Sequence, residues 1–421
     1  MAVAPAALAG ALAGALAGIA FAGAIGMAVV AAFGLAPMQG TLPWLSTGVD
    51  EFGVDTLQAA VLAPLLLAAT AAIVATGRPR PGFYGLVFVS VLAVLATDPF
   101  GAAFFGLLAL LIGLWGRQGE AFALAAIPAV AFTIARFDMA LDPVFAWAGG
   151  AVLLAGGMGA ARATTLSQLA RATAIGFAGL AFLALGLGST QAAVRAIMAN
   201  AMIAPILGIV AATVIDATGT SALDWLGGMA RGMPRFALLA LGGLAFAAAL
   251  PPGPGFEAFR LVWVAAVDAG AWPALAVLSV WFALIGFAGL RGFAAIALGR
   301  PRSLRAAAAE DATRPMLIAL ALLLAGGALL ALTNPLPLGL AVVLAVVAFG
   351  ALRFLLRSGP IDVPAYDDGF ARPPAWLPFG DPATQITATS FAAGLRLPRR
   401  VQPAWHGLSR AARWLAAPFR P

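Results

Sequence analysis

The sequence contains no cysteine, no lysine and a single histidine, His406. Without cysteine, disulfides and thiolate-held iron–sulfur, zinc or nickel centres are excluded within the chain. A bis-histidine haem needs two imidazoles, so the chain is read as carrying no redox cofactor of its own. Charge is scarce as well, at 10% of 421 residues. All 24 basic residues are arginine, so the net charge of +7 rests on groups that stay protonated at any working pH. What fills the space instead is apolar: 62% of residues are hydrophobic and the mean hydropathy is +1.00. This composition excludes a cytosolic enzyme and describes a polytopic helical membrane protein, whose length says little about soluble domains. In that setting the arginines read as cytoplasmic-loop bias and headgroup contact with the lipid bilayer, and no nucleic-acid partner is expected.

Residues 6–34 form an Ala/Gly-rich run, and no arginine precedes Arg78. A secretory leader would carry a positive n-region, so this run is read as a first transmembrane helix. Residues 35–56 read as a loop with Asp50, Glu51 and Asp55. Further spans are expected at 57–76, 82–97, 100–115, 121–137, 143–161, 170–188, 197–215, 235–251, 271–296, 315–333 and 336–356, which makes an all-α bundle of about twelve helices. Their Gly and Ala content predicts close backbone approach. Arg78 and Arg80, Arg117, Arg162, Arg231 and Arg235, and the cluster Arg300, Arg302 and Arg305 fall in alternate loops, which places both termini in the cytoplasm. Arg195 falls on the other side, and residues 256–270 leave the parity downstream open if they cross or re-enter. A transmembrane domain thus covers 1–357 of a multi-pass inner-membrane protein. The tail 358–421, rich in proline and arginine, follows on the cytoplasmic side. Its last residues, with Trp414 and Phe419, read either as an amphipathic helix in the headgroup region or as an unstructured basic end.

The most informative stretch is 214–256. A helix ends near Asp216, a Gly-rich loop with Arg231 and Arg235 follows, and a helix of about 17 residues is expected to stop at Pro251-Pro252-Gly253-Pro254. Proline removes backbone donors, and the freed carbonyls need partners in protein or a wet cavity, so breaks at membrane depth tend to line functional pathways. A loop at the membrane surface is the plainer alternative.

This stretch resembles the antiporter-like membrane subunits of respiratory complex I and the large membrane subunit of formate hydrogenlyase and related energy-converting hydrogenases. Their helix ends in H-A-T-G-T and runs through G-G-L-A-R-R-M-P to L-P-P-L-N-G-F. Here the residues are Asp216-Ala217-Thr218-Gly219-Thr220, Gly227-Gly228-Met229-Ala230-Arg231-Gly232-Met233-Pro234 and Leu250-Pro251-Pro252-Gly253-Pro254-Gly255-Phe256. The tail is similar to the hydrogenase-type W-D-C-G-Y…R-P and Q-Y-T-A-S-S-F-A elements. It has Tyr366-Asp367-Asp368-Gly369-Phe370-Ala371-Arg372-Pro373, with Asp368 in place of the family cysteine, and Gln385-Ile386-Thr387-Ala388-Thr389-Ser390-Phe391-Ala392. Residues 53–76 and 155–188 resemble further family segments. The resemblance implies a membrane subunit of a redox-driven ion-translocating complex, with other membrane and peripheral subunits as partners.

The family moves protons along mid-membrane glutamate, lysine and histidine, which must gain and lose protons in low dielectric. Here its helix glutamate falls near Leu108, its histidine and lysine on Asn200 and Ala204, and its D-L-K-R element on Thr165, Leu166, Ser167 and Gln168. Arginine cannot substitute, because its pKa stays above ~12. The ordinary relay is therefore missing, and conduction is expected to be weak or absent. The remaining candidates are Asp216, against an interfacial cap, and Glu257, against an ion pair with Arg260 three residues on. Asn200 bridges helices but cannot relay by ionising. Asp98 and Asp268 read as helix-end residues, and Glu120 and Asp138 as interfacial. Two other functions stay open: a stand-alone cation/proton transporter, and a non-conducting scaffold or assembly subunit.

Overall fold

The computed structural model describes residues 143–299 and 301–331, together with 56–76, 81–96, 104–108, the strand residues 38–41 and 51–54, parts of 15–27, and Val343 and Val347. Strands β1 (Met38–Thr41) and β2 (Glu51–Val54) pair antiparallel, Met38 opposite Val54. The expected loop at 35–56 therefore contains a hairpin, and the all-α expectation holds apart from it.

The helices follow as α1 (Thr56–Thr76), α2 (Pro81–Leu95), α3 (Pro143–Ala161), α4 (Leu166–Gly186), α5 (Thr190–Thr218), α6 (Met229–Gly232), α7 (Pro234–Ala247), α8 (Pro254–Asp268), α9 (Trp272–Ala297), α10 (Leu304–Ala307) and α11 (Arg314–Ala331). Among the described residues five helices, α1, α4, α5, α9 and α11, are long and apolar enough to cross a membrane. The protein is multi-pass. The expected span at 121–137, that at 336–356 apart from Val343 and Val347, and the tail lie outside the described residues, and so do Asp98, Glu120 and Asp138.

Two expected boundaries move. The span placed at 170–188 starts at Leu166, where Thr165 is the N-cap and its side chain accepts from Gln168 N. The span placed at 197–215 is 29 residues long, Thr190–Thr218, capped by Ser189 at its start and ended by Gly219 at φ 77°. Only glycine takes that left-handed conformation without strain, so the helix stops there and not at Asp216.

Helix α5 is the axis of the bundle. It is almost wholly buried and packs against α1, α4, α7, α8 and α11. Helices α3 and α4 lie antiparallel at very close range. A Cβ at Gly179 would overlap the backbone of Val152 and Leu153, so glycine sets this separation. Trp281 of α9 is fully buried and fills the corner left by these helices, edge-on to Phe177 at 5.3 Å.

The connections sort the helix ends into two levels. At one end Leu166 N donates to Ser221 O at 3.0 Å, Leu223 N to Thr164 O at 3.0 Å, and Gly228 N to Leu298 O at 2.9 Å. This end gathers Arg162, Arg231, Arg235, Arg302, Arg305 and Arg314. At the other end lie the starts of α3, α5 and α9, with Trp147 and Trp272 exposed at 68% and 77%.

Candidate functional site

The site is built on one interrupted span. Helix α7 runs 14 residues from the arginine end and stops at Ala247, short of the expected 251. Leu250 N donates to Ala245 O at 3.0 Å and Ala249 N to Phe246 O at 3.1 Å, with Ala249 at φ 54°. This is a Schellman stop, which ends the ladder before the prolines are reached. Helix α8 restarts at Pro254, whose missing N–H costs nothing in the first turn, and runs 15 residues to the opposite end. The segment 256–270, left without an assignment by its polarity, is thus the second half of this span. Each half is about 21–22 Å long, so neither alone crosses a ~30 Å core and the break falls within it.

The turn between the halves packs against the bundle on its inner side. Ala247, Ala248 and Ala249 are buried, and Gly289 of α9 lies against Ala248, where a Cβ would come within 2.8 Å of the Ala248 methyl and 2.9 Å of Leu244 O. Gly255 faces Phe177 and Ile203. The break is thus anchored in the bundle at 247–249 and 253–255, while Leu250, Pro251 and Pro252 between them are half-buried.

Glu257 is buried, 4% exposed, in the first turn of α8. Its two oxygens accept from Arg260 Nε at 2.9 Å and Nη2 at 2.8 Å. The fork fits the carboxylate bidentately, and the helix N-terminus adds positive potential on the same side. Arg195 enters from α5. Its Nη1 donates to Leu330 O in the last turn of α11 at 3.3 Å. Arg195, Met198, Ala199, Pro254, Glu257 and Leu330 line one small cleft with room for about one water molecule. Read from the sequence, Arg195 was only a charge on the unexpected side; a guanidinium five residues into an apolar helix has to meet polar partners, and that signal pointed here.

Asn200 is buried one residue beyond this cleft wall, and its Nδ2 donates to Ala174 O at 3.2 Å, bridging α5 to α4. Its Oδ1, Thr173 Oγ1 and Trp281 Nε1 are buried with no hydrogen-bond partner among the described residues. Asp216 is elsewhere. It is exposed in the last turn of α5, 17 residues beyond Ala199 and so about 25 Å along the helix. Asp216 and Glu257 do not form one site. Leu108 packs against the apolar core, Thr165 to Gln168 form the capped start of α4, and Asp268 is exposed at the end of α8. The tail residues Asp367, Asp368, Gly369, Arg372, Gln385, Ser390 and Phe391 lie outside the described residues.

No protein-family model matches the sequence, and no curated protein does. Solved structures do. A chain of the Mrp complex from Dietzia sp. superposes with a TM-score of 0.63 at 16% identity, covering 79% of this chain and 91% of that one. A chain of the membrane-bound sulfane sulfur reductase, an archaeal respiratory membrane complex, gives 0.67 at 15%, covering 97% and 95%. A chain of respiratory complex I from Thermus thermophilus gives 0.59 at 17%, covering 77% and 94%. The fold is that of antiporter-like membrane subunits. At these identities the likeness concerns the backbone path and leaves the chemistry to the residues described above.

Proposed function

We propose that this chain is a membrane subunit of a multi-subunit redox-driven complex, and that its own proton conduction is degenerate. The assembly is inferred from the fold, since each of the three superposed chains belongs to a named membrane complex. A hydrogenase-type assembly is favoured within that range by the tail sequences 366–373 and 385–392. Reduced conduction rests on one observation: the buried carboxylate beside the break, Glu257, is held bidentately by an arginine. A proton carrier has to present a carboxylate oxygen to its donor and acceptor, and both Glu257 oxygens are taken up by the Arg260 fork. The relay positions expected from the resemblance carry Leu108, Asn200 and Ala204, which do not titrate.

Two measurements test this. Affinity purification of the tagged chain from its native membranes is expected to bring down further membrane and peripheral subunits, including a redox-active one; a chain that purifies alone in gentle detergent would favour a stand-alone transporter. In proteoliposomes a pH jump is expected to produce only slow dye response, with little change in Asp216→Asn or Glu257→Gln. Rapid flux in the wild type would contradict the proposed loss of conduction, and its disappearance in Glu257→Gln would restore the site as a working carrier.

A further inference from the structure

We infer that the arginine end of the bundle is a preformed binding surface for anionic phospholipid headgroups; the inference rests on the membrane-subunit assignment proposed above. Loop 219–233 and segment 298–314 are laced together there. Arg302 Nη1 donates to Asp224 O at 2.6 Å, Gly228 N to Leu298 O at 2.9 Å, and the Arg305 guanidinium packs on Gly219. On this braced platform Trp225, Leu298 and Leu304 stand 54%, 56% and 67% exposed, interleaved with the exposed Arg231 and Arg305.

Three features favour a lipid headgroup as the occupant. Apolar side chains next to guanidinium groups suit the boundary between acyl chains and phosphate, where the ring or leucine enters the one and the charge meets the other. Arginine matches phosphate with a planar fork, and here the backbone that carries it is fixed beforehand, so little ordering is needed on binding. The two ends of the molecule also differ. The opposite end exposes Trp147 and Trp272 with Asp268 beside the α8–α9 turn, an aromatic level with no exposed arginine among the described residues. The acidic groups at the arginine end are Asp216 and Glu310, both exposed, half-buried Asp224, and Asp311, which receives two backbone N–H groups of α7; the six arginines gathered there outnumber these four. The match is thus to an anionic leaflet, and it assigns this end to the cytoplasmic face.

The test uses the purified full chain in detergent, with native mass spectrometry while phosphatidylglycerol or phosphatidylcholine is added. Phosphatidylglycerol is expected to bind at lower concentration. An arginine near an anionic surface contributes about a fivefold change in affinity, so Arg231→Gln with Arg305→Gln should weaken it by about tenfold or more. Trp272→Leu at the other end should leave it unchanged. Should the double variant fail to fold, each single variant is expected to lose about fivefold. Equal retention of both lipids, or unchanged binding in the variants, would overturn the inference. Variants that keep the lipid but lose co-purifying proteins would show a protein-docking face instead, which also overturns it. A chain released from membranes by alkaline wash would refute the membrane-subunit assignment itself, whichever lipid binds.

Discussion

At the scale of single residues the decisive pair is Glu257 and Arg260. Their spacing of three on one helical face made an ion pair legible in the sequence, and the geometry makes it bidentate at 2.8 and 2.9 Å. Removing one partner of a fully buried pair costs about 3–5 kcal/mol; Arg260 keeps 24% of its side chain exposed, so Arg260→Leu is expected to destabilise by roughly 2–3 kcal/mol. The double variant Glu257→Leu/Arg260→Leu should regain much of that, because no buried charge is left behind. Denaturant unfolding of the four proteins in a double-mutant cycle measures the coupling; strictly additive losses would mean that the pair does not hold the break. Arg195 was not legible in the same way. Its partner Leu330 O is 135 positions away, and a long-range contact to a backbone carbonyl leaves no mark on spacing or pattern.

At the scale of elements, the interrupted span shows where pattern reading stops. The helix candidates were visible as apolar runs, and the Pro-Pro-Gly-Pro stretch marked an interruption. The second half stayed open, as a crossing or a re-entrant segment, because fifteen residues that include Glu257, Arg260 and Asp268 look too short and too polar to cross alone. They cross only as a continuation of α7. The early stop at Ala247 was hidden for a related reason: the terminating αL residue is Ala249, where sequence rules look for glycine. The start of α7 is fixed by a remote cap. Asp311 Oδ2 accepts from Arg235 N at 3.2 Å and Oδ1 from Phe236 N at 3.1 Å. A carboxylate there answers two of the unpaired first-turn donors and the positive helix end together. Asp311→Ala is expected to cost about 1 kcal/mol and Asp311→Asn less. Hydrogen exchange should quicken first at residues 235–238; equal exchange in wild type and Asp311→Ala would remove Asp311 as the cap.

For the whole molecule, orientation follows from the way the two halves join. Because α7 and α8 make a single crossing, α9 begins at the end away from the arginines and returns to it, so Arg302 and Arg305 arrive beside Arg231 and Arg235. Alternate-loop arginines had suggested the same arrangement, with the parity past residue 256 open until the second half was seen. A continuous helix is a stiff rod, and a push at one membrane surface reaches the other undiminished. This span is two short levers on a packed turn. The α7 lever is anchored through Asp311 to the arginine platform, and the α8 lever carries Glu257 and Arg260 beside the cleft that Arg195 ties to α11. The two halves of the span are thus moored separately, one to the arginine platform and the other to the cleft, with a packed turn between the two moorings.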